Sequence, residues 1–546
     1  MNALILLIVG IVLFAIAYVT YGSMLAKKWG INPARKTPAH ELRNDSDYVP
    51  TDAKVVLGHH FSSIAGAGPI TGPIAAVMFG WLPVYLWILV GSIFFGGVHD
   101  YGSLIASMRH EGKTIGEIIR ANIGQKAKII FSLYAFLTIC LVVAAFLDIT
   151  ASTFAFDASD VANSMTAASS STASMLFIAV ALLFGIFYRR NSSLILGTAV
   201  GVALLVGIIA FSSFVPFLQL PKLAWQIILT VYIIAASLLP VWLLLQPRDY
   251  LSSFLLFAMI IGGFLGILFS APEVSVPAFV GFNINGSYLF PILFVTVACG
   301  AISGFHSLVS SGTSSKQIDN EKDAKLVGYG GMLIEGVVAI IALLSVSAIV
   351  GNTDGTPAVR FANGVATFMN SFGIPIAAGK IFVTLTYASF ALTSLDSATR
   401  IGRYLLEELG EYTKKDGTVV KTILCNPYVA TLLTVGVSLL FTLYGYARIW
   451  PIFGSANQLL AGLALLAIAA WIKNTMKRTS WETIIPLIFM FAVTFSALVI
   501  IVISNFKLGT FDGYVLGTIA IGLVVLAVLE LITVATNSKK IGTPKK

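Results

Sequence analysis

Charged residues are scarce in this sequence. Asp, Glu, Lys and Arg make up 11% of its 546 residues, whereas 57% are hydrophobic and the mean hydropathy is +0.90. Soluble globular domains carry about 25% charged residues, so this composition excludes a soluble protein. Because a polypeptide crosses lipid most simply as helices, we expect an all-α polytopic membrane protein.

Cysteine is also rare. The three that occur, Cys140, Cys299 and Cys425, lie far apart and without the spacing of metal ligands. This pattern excludes a disulfide framework and a zinc knuckle, and it favours small apolar packing residues.

Basic residues are missing before the first apolar stretch, whereas Lys27 and Lys28 follow it. A cleaved signal peptide has the reverse arrangement. We therefore expect residues 1–24 to form an N-terminal anchor helix whose N-terminus lies outside.

Long apolar runs are abundant. A spanning helix needs about 20 residues, and we predict fifteen spans. Their centres lie near residues 12, 68, 95, 139, 181, 205, 235, 260, 300, 338, 386, 437, 461, 493 and 525.

Lys and Arg are distributed unevenly among the connections. With alternating spans, all but five of the 34 fall on one side, which the positive-inside rule assigns to the cytoplasm. We therefore predict a bacterial inner membrane protein with a cytoplasmic C-terminus, and the basic excess needs no nucleic-acid partner. The five exceptions are Lys222, Arg360, Lys380, Arg448 and Lys507.

Two apolar segments contain helix-breaking residues. Residues 58–80 hold five glycines and two prolines, and residues 298–307 combine glycines with serine and histidine. A membrane helix opens its backbone only where protein or a water-filled cavity satisfies the freed groups. We predict interruptions at 65–69 and 298–307, and their opposite directions match the inverted repeats of transporters.

The expected fold is an inverted-repeat transporter core with discontinuous helices, like that of the amino acid-polyamine-cation superfamily. Residues 44–472 would form the core, with two repeats and one extra helix pair. Residues 481–546 would form a C-terminal helix pair and a basic cytoplasmic tail.

Backbone amides at helix interruptions attract anionic groups, so the two breaks are the predicted substrate site, with nearby hydroxyls and a histidine tuning selectivity. The predicted substrate-binding residues are Ser62, Ser63, Gly66, Ala67, Gly68, Gly300, Ser303, Gly304 and His306. Asn457 and Gln458 could line the same path or form bonds between helices.

A carboxylate within the membrane is costly and by default functional, which makes Asp396 the predicted ion-coupling residue. Neighbouring hydroxyls of Thr393, Ser394 and Ser397 supply the oxygen ligands that a small cation prefers. In related five-helix inverted repeats, the equivalent helix lends hydroxyls to a sodium site. The coupling ion is predicted to be a proton; alternatively Asp396 pairs with Arg400 at i+4. Glu335 is another isolated intramembrane acid.

Charged residues at the predicted cytoplasmic ends suggest a gate. A tight turn would place Arg248 beside Asp249 at the inner surface, where the pair is either a gate or a weak surface ion pair. The acidic stretch before the first broken helix is either a gate or a helix cap. The predicted gate residues are Asp45, Asp47, Arg248, Asp249 and Arg400.

Histidines cluster at the cytoplasmic end of the second and third spans. His59, His60 and His99, with Asp100, could hold a divalent metal ion or pass a proton. Each histidine could instead be hydrogen-bonded to a neighbouring backbone group. No other cofactor is indicated.

Several strings resemble the carbon starvation protein A family of bacterial membrane transporters. They are Asn44-Asp45, Asp47-Tyr48-Val49-Pro50-Thr51, Gly58-His59-His60-Phe61, Ile64 to Pro69, Gly80-Trp81-Leu82-Pro83, Val98-His99-Asp100, Gln246-Pro247-Arg248-Asp249-Tyr250, Ser303-Gly304-Phe305-His306-Ser307, Leu395-Asp396, Ala398-Thr399-Arg400, Phe453-Gly454 and Asn457-Gln458. The resemblance implies uptake of peptides during carbon starvation, and a close branch implies proton-coupled pyruvate uptake.

The resulting prediction is a symporter for a peptide or another small carboxylate, not an enzyme. A channel is a second hypothesis, although the scattered polar residues form no repeated rings. A membrane-embedded metalloenzyme with zinc at the histidines is a third.

Overall fold

The computed structural model describes residues 1–44, 47–190, 194–240, 243–413 and 419–541. Most of the described chain is helical. The helices are α1 (Ala3–Val19), α2 (Tyr21–Lys28), α3 (Pro38–Glu41), α4 (Ala53–Ala65), α5 (Gly68–Ala76), α6 (Trp81–Val90), α7 (Gly97–Met108), α8 (Ile115–Asn122), α9 (Gln125–Phe154), α10 (Val161–Arg190), α11 (Leu194–Phe214), α12 (Lys222–Leu238), α13 (Leu245–Ser270), α14 (Leu289–Thr296), α15 (Gly304–Gly312), α16 (Gly331–Ser347), α17 (Pro357–Asn370), α18 (Ile376–Gly410), α19 (Pro427–Thr442), α20 (Tyr446–Met476), α21 (Trp481–Lys507) and α22 (Phe511–Ile541).

Among the described residues, strands occur in two short antiparallel hairpins in connections. The first pairs β1 (Asn283–Ile284) with β2 (Ser287–Tyr288), and the second pairs β3 (Glu411–Thr413) with β4 (Val419–Lys421). Two single turns of π-helix, Gly91–Gly96 and Lys325–Gly330, interrupt the long helices that continue as α7 and α16.

Eleven helices in the described part of the chain are long and apolar enough to cross a membrane, or twelve if the bent pair α4 and α5 counts as one span. Three further predicted centres fall on shorter segments. These segments are α12, α19 and the discontinuous pair α14 and α15. The molecule is therefore a multi-pass membrane protein, while the count of fifteen spans and the inverted repeat remain predictions.

Burial separates an inner group of helices from an outer one. The spanning parts of α16 and α20 are almost completely buried, whereas α11, α21 and α22 keep most of their apolar side chains on the surface. Exposed apolar faces are expected of lipid-facing helices. The inner helices pack around α4, α5, α14 and α15, which brings both interrupted segments into the centre of the bundle.

Candidate functional site

The first predicted interruption is present. α4 ends at Ala65, Gly66 follows with φ +48°, and α5 starts at Gly68, so that the two half-helices are bent by 41°. A positive φ is readily available only to glycine. Pro69 lies in the first turn of α5, where its missing N–H leaves no intrahelical bond unmade.

The second predicted interruption is present as well. α14 ends at Thr296 and α15 begins at Gly304, with seven residues of non-helical chain between them. The freed carbonyls are satisfied by the third span: Trp87 Nε1 donates to Val297 O at 3.2 Å, and Ser92 Oγ donates to Gly300 O at 3.0 Å. Protein groups thus replace the solvent that lipid cannot supply.

The two interruptions touch each other. A Cβ on Gly68 would lie 2.3 Å from Cys299 Sγ, and a Cβ on Gly72 would lie 2.5 Å from Thr296 O. Their glycines therefore permit close helix contact in this conformation. Similarly, a Cβ on Gly66 would lie 2.8 Å from Ser394 Oγ, and one on Gly300 would lie 2.8 Å from the Ala339 Cβ. Substrate contact at Gly66, Ala67, Gly68 and Gly300 remains a prediction.

Asn457 of α20 ties the second interruption to its neighbour. Its Oδ1 accepts from Phe305 N at 2.8 Å, and its Nδ2 donates to Ser303 Oγ at 2.9 Å. Gly304 packs directly on the backbone of α20: a Cβ added at Gly304 would lie 2.3 Å from Asn457 O. Gln458 Nε2 donates to Phe294 O at 2.6 Å. The interhelical alternative for Asn457 and Gln458 is thereby confirmed.

Arg248 and Asp249 do not form a surface turn, which corrects the sequence prediction. They lie in the first turns of α13, where Pro247 is tolerated as an early helical residue, and both side chains are fully or almost fully buried. Arg248 forms an ion pair with Asp396 of α18 and another with Asp249 Oδ1 at 3.0 Å. The arginine is therefore an internal link between helices.

Further groups complete what we call the arginine cluster, which consists of His59, Tyr232, Arg248, Asp249 and Asp396. Tyr232 OH donates to Asp396 Oδ2 at 2.6 Å, and His59 Nδ1 lies 2.9 Å from Asp249 Oδ2. Nothing in the sequence distinguishes Tyr232 as a functional residue, because aromatic residues are common in apolar helices such as α12.

The predicted ion-coupling hydroxyls lie against the first broken helix. Ser394 Oγ donates to Ser63 O at 3.0 Å, and Ser397 Oγ lies 3.3 Å from Ser63 Oγ. Thr393 Oγ1 and Asp396 Oδ1 are buried without a hydrogen-bond partner among the described residues. α18 thus places the hydroxyls of Ser394 and Ser397 against the end of α4, beside the interruption.

Two other predicted residues also reach the first broken helix or its surroundings. Ser62 Oγ donates to Asp249 O at 3.1 Å, beside the arginine cluster. Arg400 donates to Ala236 O and Leu239 O at the end of α12. Arg400 therefore bonds to backbone carbonyls at the end of α12 rather than pairing with Asp396 at i+4, the alternative considered from sequence.

A second set of charges, the histidine cluster, consists of His99, Asp100, His306 and Glu335, all completely buried. Asp100 Oδ1 lies 2.7 Å from His99 Nδ1, and Asp100 Oδ2 lies 2.8 Å from His306 Nδ1. His306 Nε2 is 3.5 Å from Glu335 Oε2. His306 sits in the first turn of α15, so the interruption itself aims this ring at the two carboxylates.

The four residues predicted to bind metal are divided among different partners. His59 contacts Asp249, His60 Nδ1 lies 2.8 Å from Ser314 Oγ, and His99 contacts Asp100. Within the part of the chain that the structure describes, no group of three or more His, Cys, Asp or Glu is arranged to hold a metal ion. The structure does not bring the four together as a metal site.

The predicted acidic gate lies beside the end of the second broken helix. Val49 N donates to Lys316 O at 3.2 Å and Thr51 N donates to Gln317 O at 3.1 Å, so the segment before α4 pairs with the segment after α15. Asp47 is half-buried, and its N–H donates to Asn44 Oδ1 at 3.0 Å. Asp45 lies outside the described residues, and a gating role remains a prediction.

Comparison with known proteins gives a consistent result. The sequence profile described as carbon starvation protein CstA matches residues 2–354 and 347–497. The peptide transporter CstA of Escherichia coli K12 is 32% identical, with 91% of this chain and 80% of that protein covered. The protein of the same name from Campylobacter jejuni is 33% identical, with 90% and 79% covered. The pyruvate/proton symporter BtsT of E. coli K12 is 32% identical, with 91% and 81% covered.

A solved structure also resembles this fold. A mutant of the Eremococcus coleocola manganese transporter superposes with a TM-score of 0.50 at 11% identity, covering 91% of this chain and 99% of that chain. At this identity the likeness concerns the arrangement of helices alone.

Proposed function

Since this chain belongs to the carbon starvation protein CstA family, we propose that it is a secondary active transporter that imports peptides together with a proton. Its relatives include proteins named as peptide transporters and one named as a pyruvate/proton symporter. A small carboxylate such as pyruvate is therefore the second candidate substrate. The site is not enzymatic: it binds the substrate, couples it to an ion and releases it on the other side of the bacterial inner membrane.

The observation that carries this proposal is an excess of buried acid beside a broken helix. The arginine cluster holds two carboxylates, Asp249 and Asp396, but one guanidinium, that of Arg248. An uncompensated charge in a low-dielectric interior is strongly unfavourable. A bound proton or another cation removes the imbalance, and Asp396 Oδ1 and His59 are the groups positioned to receive it.

The interruptions supply the second requirement, a place for an anionic substrate. α5 and α15 both begin at the breaks, so their positive dipole ends point towards the centre of the bundle. A carboxylate bound there would add negative charge next to Asp396 and Asp249, which strengthens binding of the proton. Proton and substrate thus favour each other's binding, as coupled transport requires.

Alternating access would then move helices around this centre. Substrate would displace protein contacts at the breaks, such as Gly68 against Cys299, as the half-helices separate. Asp47, Arg248, Asp249 and Arg400 are proposed to hold the cytoplasmic side closed until the proton and substrate are bound. The basic connections would face the cytoplasm, with the N-terminus outside.

Uptake into liposomes tests the proposal. Purified protein should accumulate radiolabelled dialanine, or pyruvate for the second candidate, when the outside is made acidic, and a protonophore should abolish the accumulation. Asp396→Asn should abolish gradient-driven accumulation, whereas Asp512→Asn, at an exposed ion pair, should retain it. Unchanged accumulation in Asp396→Asn would remove this residue from the coupling role, and flux that ignores the gradient would indicate a channel.

A further inference from the structure

A cavity lies near the end of the bundle where α9 ends and α18 begins. It has a volume of about 160 Å³ and is lined mainly by small and hydroxyl-bearing residues. The polar residues of the lining are Ser152, Thr153, Ser164, Thr166, Thr356, Asn363, Lys380 and Thr384. No acidic residue that the structure describes is part of this lining, so the cavity combines one positive charge with neutral hydrogen-bonding groups.

Lys380 has no counter-ion in this cavity. Its side chain is half-buried in the first turns of α18, and no described residue forms a hydrogen bond or ion pair with it. Two of the four other basic residues assigned to the same side have acidic partners: Lys222 lies 2.7 Å from Asp148, and Arg448 lies 2.6 Å from Asp512. A half-buried ammonium without an acid partner carries a charge that a bound anion would compensate.

The cavity leads towards the first broken helix. A smaller space of about 30 Å³ shares Ser152, Thr153 and Thr356 with it. That space ends at Thr71 of α5 and Tyr387 of α18, whose hydroxyl oxygens are 3.1 Å apart. Lys380 and Tyr387 are two turns apart on α18, and Asp396 follows more deeply on the same helix.

We propose that the cavity at Lys380 is an external capture site for carboxylate anions. The Lys380 ammonium binds the carboxylate of a peptide or a small organic acid, and the hydroxyls of Ser152, Thr153 and Thr356 bind its polar remainder. The Thr71 and Tyr387 pair then separates the captured substrate from the central site. This inference rests on the proposed function for the direction of passage, but anion binding at the cavity is testable without transport.

The first test measures charge in the cavity by cysteine labelling. Ser152→Cys is introduced into protein carrying Cys425→Ser, because the other two cysteines, Cys140 and Cys299, are buried. Labelling rates are measured with the anionic sulfonatoethyl methanethiosulfonate and with the cationic trimethylammonioethyl reagent. The ratio of the anionic rate to the cationic rate should be about tenfold higher at position 152 than for a free thiol in solution. Adding Lys380→Gln should remove this preference, whereas Lys507→Gln, an exposed lysine outside the cavity, should leave it intact.

Protection from labelling identifies the ligand chemistry. Pyruvate and dialanine should slow labelling, and dialanine amide, which lacks the carboxylate, should not. Protection should disappear with Lys380→Gln. Equal labelling by both reagents, or protection that survives Lys380→Gln, would overturn the proposal.

Uptake kinetics separate this inference from the proposed function. In liposomes Lys380→Gln should raise KM for dialanine or pyruvate about tenfold and leave kcat unchanged, because the lysine acts before the central site. An unchanged KM would refute the capture site while leaving the transporter intact. Carboxylate-dependent protection without any uptake by the unmodified protein would instead retain the site and refute transport.

Discussion

Removal of Arg248 should strongly destabilise the protein. Its guanidinium lies between Asp249 and Asp396, and all three side chains are buried. Arg248→Gln leaves two buried carboxylates facing each other without a cation, and breaking a buried ion pair in this way costs about 3–5 kcal/mol. Arg448→Gln is the matched control, because its ion pair with Asp512 is about half exposed and should be worth less than about 1 kcal/mol.

A double-mutant cycle assigns the loss to the ion pair. Asp396→Asn added to Arg248→Gln removes one of the stranded charges, so the double variant should recover stability, with a coupling energy of about 2 kcal/mol. The free energy of unfolding can be followed by tryptophan fluorescence as dodecyl sulfate is added to the protein in mild detergent. A loss below about 1 kcal/mol for Arg248→Gln, or additive effects of the two substitutions, would refute the reasoning.

Two packing predictions follow from the interruptions. Gly68→Ala places a Cβ 2.3 Å from Cys299 Sγ and 2.5 Å from Cys299 Cβ and should destabilise the protein by about 1–3 kcal/mol. Cys299→Gly, which removes both atoms, should restore more of this loss than Cys299→Ala, which keeps the Cβ; no loss in the single variant would contradict the observed contact. Asn457→Leu deprives Phe305 N of its acceptor and should cost about 1–3 kcal/mol in the same unfolding measurement. Ser303→Ala removes a partner of Asn457 Nδ2 but leaves the bond from Phe305 N to Asn457 Oδ1 in place, so it should lose less, and equal losses would argue against this hydrogen bond as the source of the effect.

The interruptions were predictable because glycine and proline act locally. Gly66 and Pro69 interrupt the helix through their own backbone properties, whatever surrounds them in the fold. The sequence alone therefore indicates the break. The contact partners of the break are different in kind. Cys299 contacts Gly68 although more than two hundred residues separate them in sequence, and no local sequence pattern specifies that contact.

The same distinction explains the errors around the charged residues. Arg248 and Asp249 beside Pro247 look like a turn at the membrane surface, yet α13 begins at Leu245 and carries both inwards. Arg248 meets Asp396 across 148 residues of sequence. The nearer partner considered for Asp396, Arg400 at i+4, instead caps carbonyl groups at the end of α12.

The number of full membrane spans is limited by the length of the helices rather than by their hydrophobicity. α12 and α19 are apolar but contain 17 and 16 residues, and a fully spanning helix needs about 20. α14 and α15 are each shorter still because the interruption divides them. A search for apolar stretches in the sequence predicts a span at each such segment, whereas the helices in the structure are too short to span a membrane singly.

Proton movement that accompanies substrate is the most direct test of the account. Liposomes containing the protein and a pH-sensitive dye, with no initial gradient, should show acidification of the lumen when dialanine is added outside. Asp396→Asn should abolish the acidification and Asp512→Asn should not. Substrate entry without acidification, or acidification that is unchanged in Asp396→Asn, would contradict coupling through the arginine cluster.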